Sequence, residues 1–158
     1  MSRVIFEKII KLLEDNGIVF QLFEHEPVFT SEQAAKIRNT QMKQGAKAII
    51  FSADGKSILA VVPGDRRVDA KVFKKLYDIK DLRLLTADEV KELTGLEIGA
   101  IPPLGNVMNL QTYADACLFE NEEIVFNAGA HTKSILMKAK DFQELAKPII
   151  NSFSIENN

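Results

Sequence analysis

One cysteine in 158 residues leaves no internal disulfide to form. Cys117 lies in the apolar run ACLF and reads as a small buried hydrophobe in a reducing compartment. Two histidines, His25 and His131, together with that cysteine cannot assemble a zinc set of ordinary ligand spacing, and no other cofactor motif is present. The patterns GxSxG, GxxxxGK(S/T) and GxGxxG are missing, which excludes a nucleophile elbow, a nucleotide P-loop and a dinucleotide turn. No run approaches the roughly 18 apolar residues of a membrane span. The N-terminal MSRVIFEKIIKLLEDNG lacks the continuous apolar core and small-residue cleavage site of a signal peptide. A soluble, cytoplasmic protein with no membrane partner is expected. Neither sign of charge prevails: 20 Lys and Arg stand against 22 Asp and Glu. That balance argues against DNA or indiscriminate nucleic-acid binding, which needs a basic surface. It leaves room for recognising one short RNA end through local cations. The cations between Arg66 and Arg83 could make such a patch, although DAKVFKKLYDIK reads first as a solvated helix face.

What is present is ordinary globular material, 46% hydrophobic and 27% charged. A chain of this length buries roughly 70% of its unfolded surface and needs no staple. No repeat or long linker divides it, so one domain is expected over residues 1–152, with 153–158 as a frayed tail. Residues 4–16 place Val4, Ile5, Ile9, Leu12 and Leu13 on one helical face, stopped by Asn16-Gly17. IVFQLFEH alternates as a strand. TSEQAAKIR is a helix opened by Thr30 and Gln33 as a capping box. AKAIIFSADGKSILAVVPG reads as two strands around an Asp-Gly turn. VDAKVFKKLYD is a helix and LRLLT a short strand. TADEVKELTG is a helix with Thr86 and Glu89 as its capping box and Gly95 as its stop. QTYADACLF and EEIVFNAG suggest a second hairpin, KSILMKA a strand, and DFQELAKPII a closing helix. Hairpins and helices mixed without regular alternation indicate an α+β domain built on a mixed, mostly antiparallel sheet.

Four stretches can carry chemistry. Lys47 opens the apolar strand of QGAKAIIF, where a lysine ends in water at the sheet edge or faces an anion in a pocket. In VVPGDRRVDAK, Arg66 and Arg67 either reach a phosphate or pair with Asp65 and Asp69 for structure. In EIGAIPPLG, Gly99 and Gly105 open backbone conformations closed to other residues, while Pro102 and Pro103 stiffen the loop and remove two donors. The N–H groups of Gly99, Ala100, Ile101 and Leu104 are then available to a ligand, as an oxyanion hole requires, unless the stretch is only a rigid connection. In FNAGAHTKSI, His131 follows Gly129 at a tight turn and is either a ligand contact or a packed residue.

In this order, EHEPVFTSEQAA, GAKAIIF, VVPGDRRVD, LTGLEIGAIPPLG and FNAGAHTKSILM resemble the YbaK-type family, also called the prolyl-tRNA synthetase associated domain. The resemblance runs from about residue 5 to 148. It implies trans-editing: metal-independent hydrolysis of the ester joining a wrong, small amino acid to the terminal adenosine of a tRNA. A synthetase pocket separates substrates differing by one methylene by only about 1–3 kcal/mol, so a second hydrolytic sieve is needed. By the same resemblance Lys47 holds the phosphate of the terminal adenosine. Gly99 and Pro103 bound a GxxxP loop whose residues, Ala100, Ile101 and Pro102 included, line the aminoacyl pocket and supply backbone donors. Gly129 and His131 form a GxH motif at the same pocket. The attacking group is water or a nucleophile on the substrate, aided by a tRNA hydroxyl. Partners would be the acceptor end of an aminoacyl-tRNA and, secondarily, an aminoacyl-tRNA synthetase. Two departures bear on substrate choice: Ala48 replaces a hydroxyl residue and Phe20 a tyrosine found in relatives. Alanyl, cysteinyl and seryl groups all remain open, as does a module that binds the acceptor end without turnover.

Overall fold

The computed structural model describes residues 2–157. Helix α1 (Ser2–Asp15) lays Ile5, Ile9 and Leu13 along one buried seam at four-residue spacing. Val4, expected on that seam, is exposed, because a residue one position away points about 100° round the helix. Gly17 ends the helix at φ +65°.

The strands form three sheets. β2 (Ala46–Ala53) and β3 (Lys56–Pro63) form the expected hairpin, and Asp54 and Gly55 both take the positive φ that its tight turn demands. They are the centre of a five-stranded sheet of order β5-β2-β3-β6-β9, with β5 (Leu82–Leu84), β6 (Thr112–Asp115) and β9 (Ile149–Asn151). β3 pairs with β6, and β6 with β9, in parallel; the other pairs are antiparallel. A second, wholly antiparallel sheet has order β1-β8-β7, from β1 (Phe20–Glu24), β7 (Glu123–Asn127) and β8 (Lys133–Lys138). A single parallel bridge, Gly45 to Val125, joins the two sheets. A two-stranded ribbon pairs β4 (Arg66–Val68) with β10 (Ser154–Glu156). The α+β class with a mixed, mostly antiparallel strand arrangement is as expected.

β3 explains its own continuous apolar sequence, because both its faces are covered. Leu59 and Val61 join the main core with Ile9, Leu13, Phe126, Ile135 and Phe142. Ile58, Ala60 and Val62 join a second core with Phe51, Phe73 and Phe153. Helix α2 (Ser31–Arg38) is capped by Thr30, whose side chain accepts from the Gln33 N–H, while Gln33 Oε1 reaches back to the Phe29 N–H. α3 (Ala70–Leu76) is capped by Asp69, and α4 (Ala87–Thr94) carries the full Thr86–Glu89 capping box and stops at Gly95.

Three expectations need correction. QTYADACLF and EEIVFNAG do not pair as a hairpin: β6 lies in the five-stranded sheet and β7 in the three-stranded one. Asp115 separates them by accepting the Cys117 N–H and starting a short 3-10 turn over ACLF, which leaves Cys117 only half-buried. The final helix, α5 (Ala139–Ala146), stops before Pro148 at Lys147 in the left-handed conformation, and the chain continues as β9. Of the residues expected to fray, Ser154–Glu156 pair as β10, because Phe153 is buried against Phe73 and Asp115 Oδ1 accepts the N–H groups of Phe153 and Ser154; Asn158 lies outside the described residues.

Candidate active site

The cleft lies where the N-terminus of α2, the start of β2 and the end of β7 converge, beside the Gly45–Val125 bridge. Among the described residues its charged lining is Arg38 and Lys47; no aspartate or glutamate contributes to the wall. Neutral polar groups come from Thr30, Ser31, Thr40 and Gln41, with Asn127 at the far side. Two cations with no acidic residue in the wall, in a chain of net charge −2, favour an anion.

Lys47 is half-buried and its ammonium donates to the Arg66 carbonyl oxygen at 2.7 Å. Burial pulls its pKa below the ordinary lysine range, and the charge of Asp65 opposes that pull. Arg38, at the end of α2, has its pKa lowered to about 10 by burial. Its Nε donates to Ser134 Oγ at 2.8 Å and an Nη2 hydrogen goes to Asn127 Oδ1 at 2.7 Å. That second bond fixes the Asn127 amide, since an arginine can only donate. The Asn127 NH2 group is thereby turned to the Gly99 carbonyl, 2.6 Å away. On the other side, the His25 Nδ1–H donates to the Glu26 carbonyl at 2.7 Å. In the neutral ring His25 Nε2 then accepts from Ser134 Oγ at 2.7 Å. A chain of polar groups thus runs from His25 through buried Ser134, Arg38 and Asn127 to the Gly99 loop.

The loop is pinned at several points. Gly99 sits at φ +90°, and a Cβ there would come within 3.0 Å of His131 Cε1. The Ala100 N–H donates to the Glu97 carbonyl, and the Ala100 carbonyl accepts from the Gly129 N–H. The Ala100 N–H, expected to be available to a ligand, is therefore committed to the loop itself. The N–H groups of Gly99 and Ile101 donate to no other group among the described residues, and both residues line the cleft. Pro102 and Pro103 are buried beneath the loop and stiffen it from below.

Of the residues singled out in the sequence, Lys47, Gly99 and Ile101 meet at the cleft. His131 and Gly129 stand behind the loop rather than in the wall. The His131 Nδ1–H donates to the Val28 carbonyl at 3.0 Å, and Nε2 faces a carboxylate oxygen of exposed Glu97 at 3.4 Å. Arg66 turns its guanidinium to Ser154, through Nε to Oγ and Nη2 to the carbonyl oxygen, and offers the cleft's lysine its own carbonyl. Ala48 lines the cleft, whereas Phe20 packs against the main core. Arg38, Asn127, Ser134 and His25 were missed. Their residue types carry no motif at recognisable spacing; the available signal was an arginine closing a short helix with no carboxylate within five residues on either side.

Comparison with known proteins gives the family of the chain. The chain matches the aminoacyl-tRNA editing domain family over residues 25–145. It is 35% identical over 155 residues to the multifunctional Ser/Thr-tRNA deacylase ProXp-y of Escherichia coli K12, covering 95% of this chain and 93% of that protein. It is 36% identical over 108 residues to the proline–tRNA ligase of Solidesulfovibrio magneticus, covering 68% of this chain and 18% of the ligase. A solved structure described as a candidate trans-editing enzyme for prolyl tRNA synthetase superposes with a TM-score of 0.84 at 24% identity, covering 97% of each chain, and so shares the fold. The chain belongs to the aminoacyl-tRNA editing domain family.

Proposed function

We propose that this member of the aminoacyl-tRNA editing family hydrolyses the ester of mischarged tRNAs carrying small hydroxyl amino acids, serine and threonine foremost. The observation that carries the reading is the cleft itself: two half-buried cations, no acidic wall, and two unspent backbone donors on a pinned loop. The name of the E. coli relative supports the substrate class. So does Thr40, a lining residue whose buried Oγ1 has no hydrogen-bond partner among the described residues. A site with unspent polar groups favours a substrate hydroxyl over its absence by far more than an apolar pocket separates methylenes.

In the proposed reaction Lys47 holds a phosphate of the terminal nucleotide. Water adds to the ester carbonyl carbon, and the oxygen that becomes negative is received by the N–H groups of Gly99 and Ile101. The acyl carbon–oxygen bond then breaks. The ribose oxygen takes one of the two protons of the attacking water, the other passes to solvent, and the amino acid leaves as its carboxylate. Asn127 holds the Gly99–Ala100 peptide, which lies between the two donor N–H groups, and Arg38 keeps Asn127 turned correctly. His131, with Nδ1 committed to Val28, serves as the wall against which Gly99 packs. Among the described residues no group of three or more His, Cys, Asp or Glu stands ready to hold a metal ion. A synthetase that produces the mischarged tRNA is the proposed partner, since a segment of proline–tRNA ligase resembles this chain.

The test is a deacylation panel: purified protein with tRNAs charged with serine, threonine, alanine, cysteine or proline, in EDTA. Release of serine or threonine well above the buffer rate is expected. Saturable binding of these tRNAs with no amino acid released would replace the enzyme with a binding module.

A further inference from the structure

Phe29 is 69% exposed, at a cleft whose charged lining is Arg38 and Lys47. An open phenyl ring on a soluble surface is tolerated singly, but this one is held with unusual firmness. The Val28 N–H donates to the His131 carbonyl, and the His131 Nδ1–H donates to the Val28 carbonyl. The Phe29 N–H donates to Gln33 Oε1. The His25 N–H donates to the Thr132 carbonyl just upstream. The Phe29 ring meets the His131 ring with centroids 4.7 Å apart and planes inclined by 40°. Ile98, which precedes Gly99 in the loop touching His131, is 54% exposed. A rigid aromatic face beside two cations matches the two halves of a nucleotide, a flat base and a phosphate.

We propose that Phe29 is a stacking ledge for the terminal base of the RNA substrate, backed by the His131 ring. The proposal rests on the editing reading above and adds to it a base-binding subsite. Stacking on one face explains why so large an apolar surface is left open at the site's mouth. It also gives His131 a purpose that its committed Nδ1 permits: it buttresses the ledge on one side and Gly99 on the other.

The probe is an uncharged RNA acceptor-stem microhelix with 2-aminopurine as its terminal base, whose fluorescence falls when it stacks. Binding to the wild-type protein is expected to quench it several-fold. Phe29→Leu keeps apolar bulk against His131 but has no ring; it is expected to lose most of the quench and bind about tenfold more weakly. Phe29→Tyr is expected to restore both. A quench that persists in Phe29→Leu overturns the ledge and leaves the editing reading standing. A wild-type protein that does not bind the microhelix at all overturns both.

Discussion

Phe73 and Phe29 are the same side chain in two regions of one small molecule. Phe73 is fully buried and meets the rings of Phe51, Tyr77, Tyr113 and Phe153, three of them edge-on. Phe29 is largely open and meets the ring of His131. The polar groups around them differ in the same sense. Beside the second core, Asp115 satisfies the N–H groups of Cys117, Phe153 and Ser154 with its two oxygens. At the cleft, Arg38 and Lys47 are desolvated and bonded to neutral groups, and neither belongs to an ion pair among the described residues. The second core pairs the polar atoms around Asp115 internally and leaves the buried Tyr77 Oη as its unpartnered side-chain atom among the described residues. A region built for a ligand leaves charge, donors and an aromatic face unspent, at a cost in stability that the rest of the fold carries.

The contrast can be broken from either side. Phe73→Ala removes the centre of the aromatic cluster and should cost about 3–5 kcal/mol of unfolding free energy, read by urea titration. Below its lowered midpoint the folded fraction should keep the wild-type turnover. Gly99→Ala places a Cβ against His131 at a positive φ. It should slow deacylation about hundredfold, because the oxyanion donors move, while the thermal midpoint shifts by only a few degrees. Asn127→Asp keeps an oxygen for Arg38 but removes the donor to the Gly99 carbonyl. Turnover should fall about tenfold, with KM changing less and the midpoint held, as single-turnover and steady-state rates together will show. If Gly99→Ala or Asn127→Asp lost activity only in step with stability, the cleft would differ from the second core in packing alone.

Much of the fold was legible because its local signals agree. The Asp-Gly hairpin, the Thr86–Glu89 box and the α1 seam each combine periodicity with a stop or cap. The failures are long-range. ACLF looks like the continuation of a strand, and what ends β6 is the side chain of Asp115, which also ties down residues 153 and 154 far along the chain. Strand β10 was invisible because SIENN is polar and short, and its pairing with β4 depends on the burial of Phe153 next to it. At the site, Lys47 and Gly99 could be singled out because a charge in an apolar strand and a glycine before two prolines are locally odd. Arg38, Ser134 and Asn127 are locally ordinary. They come together across separations of 89 and 96 residues, which no periodicity encodes.

The central claim is that the cleft's uncompensated charge serves the substrate and not the fold, and Lys47 tests it most directly. Burial already disfavours its charged form, so Lys47→Met relieves a desolvation cost while removing the proposed phosphate contact. The measurement is the single-turnover rate of serine release from seryl-tRNA, wild type against Lys47→Met, with the thermal midpoint of each. The account predicts a rate lower by about tenfold to hundredfold, the worth of a charge-assisted contact, at a midpoint no lower than that of the wild type. An unchanged rate, or a rate lost only together with stability, would contradict it.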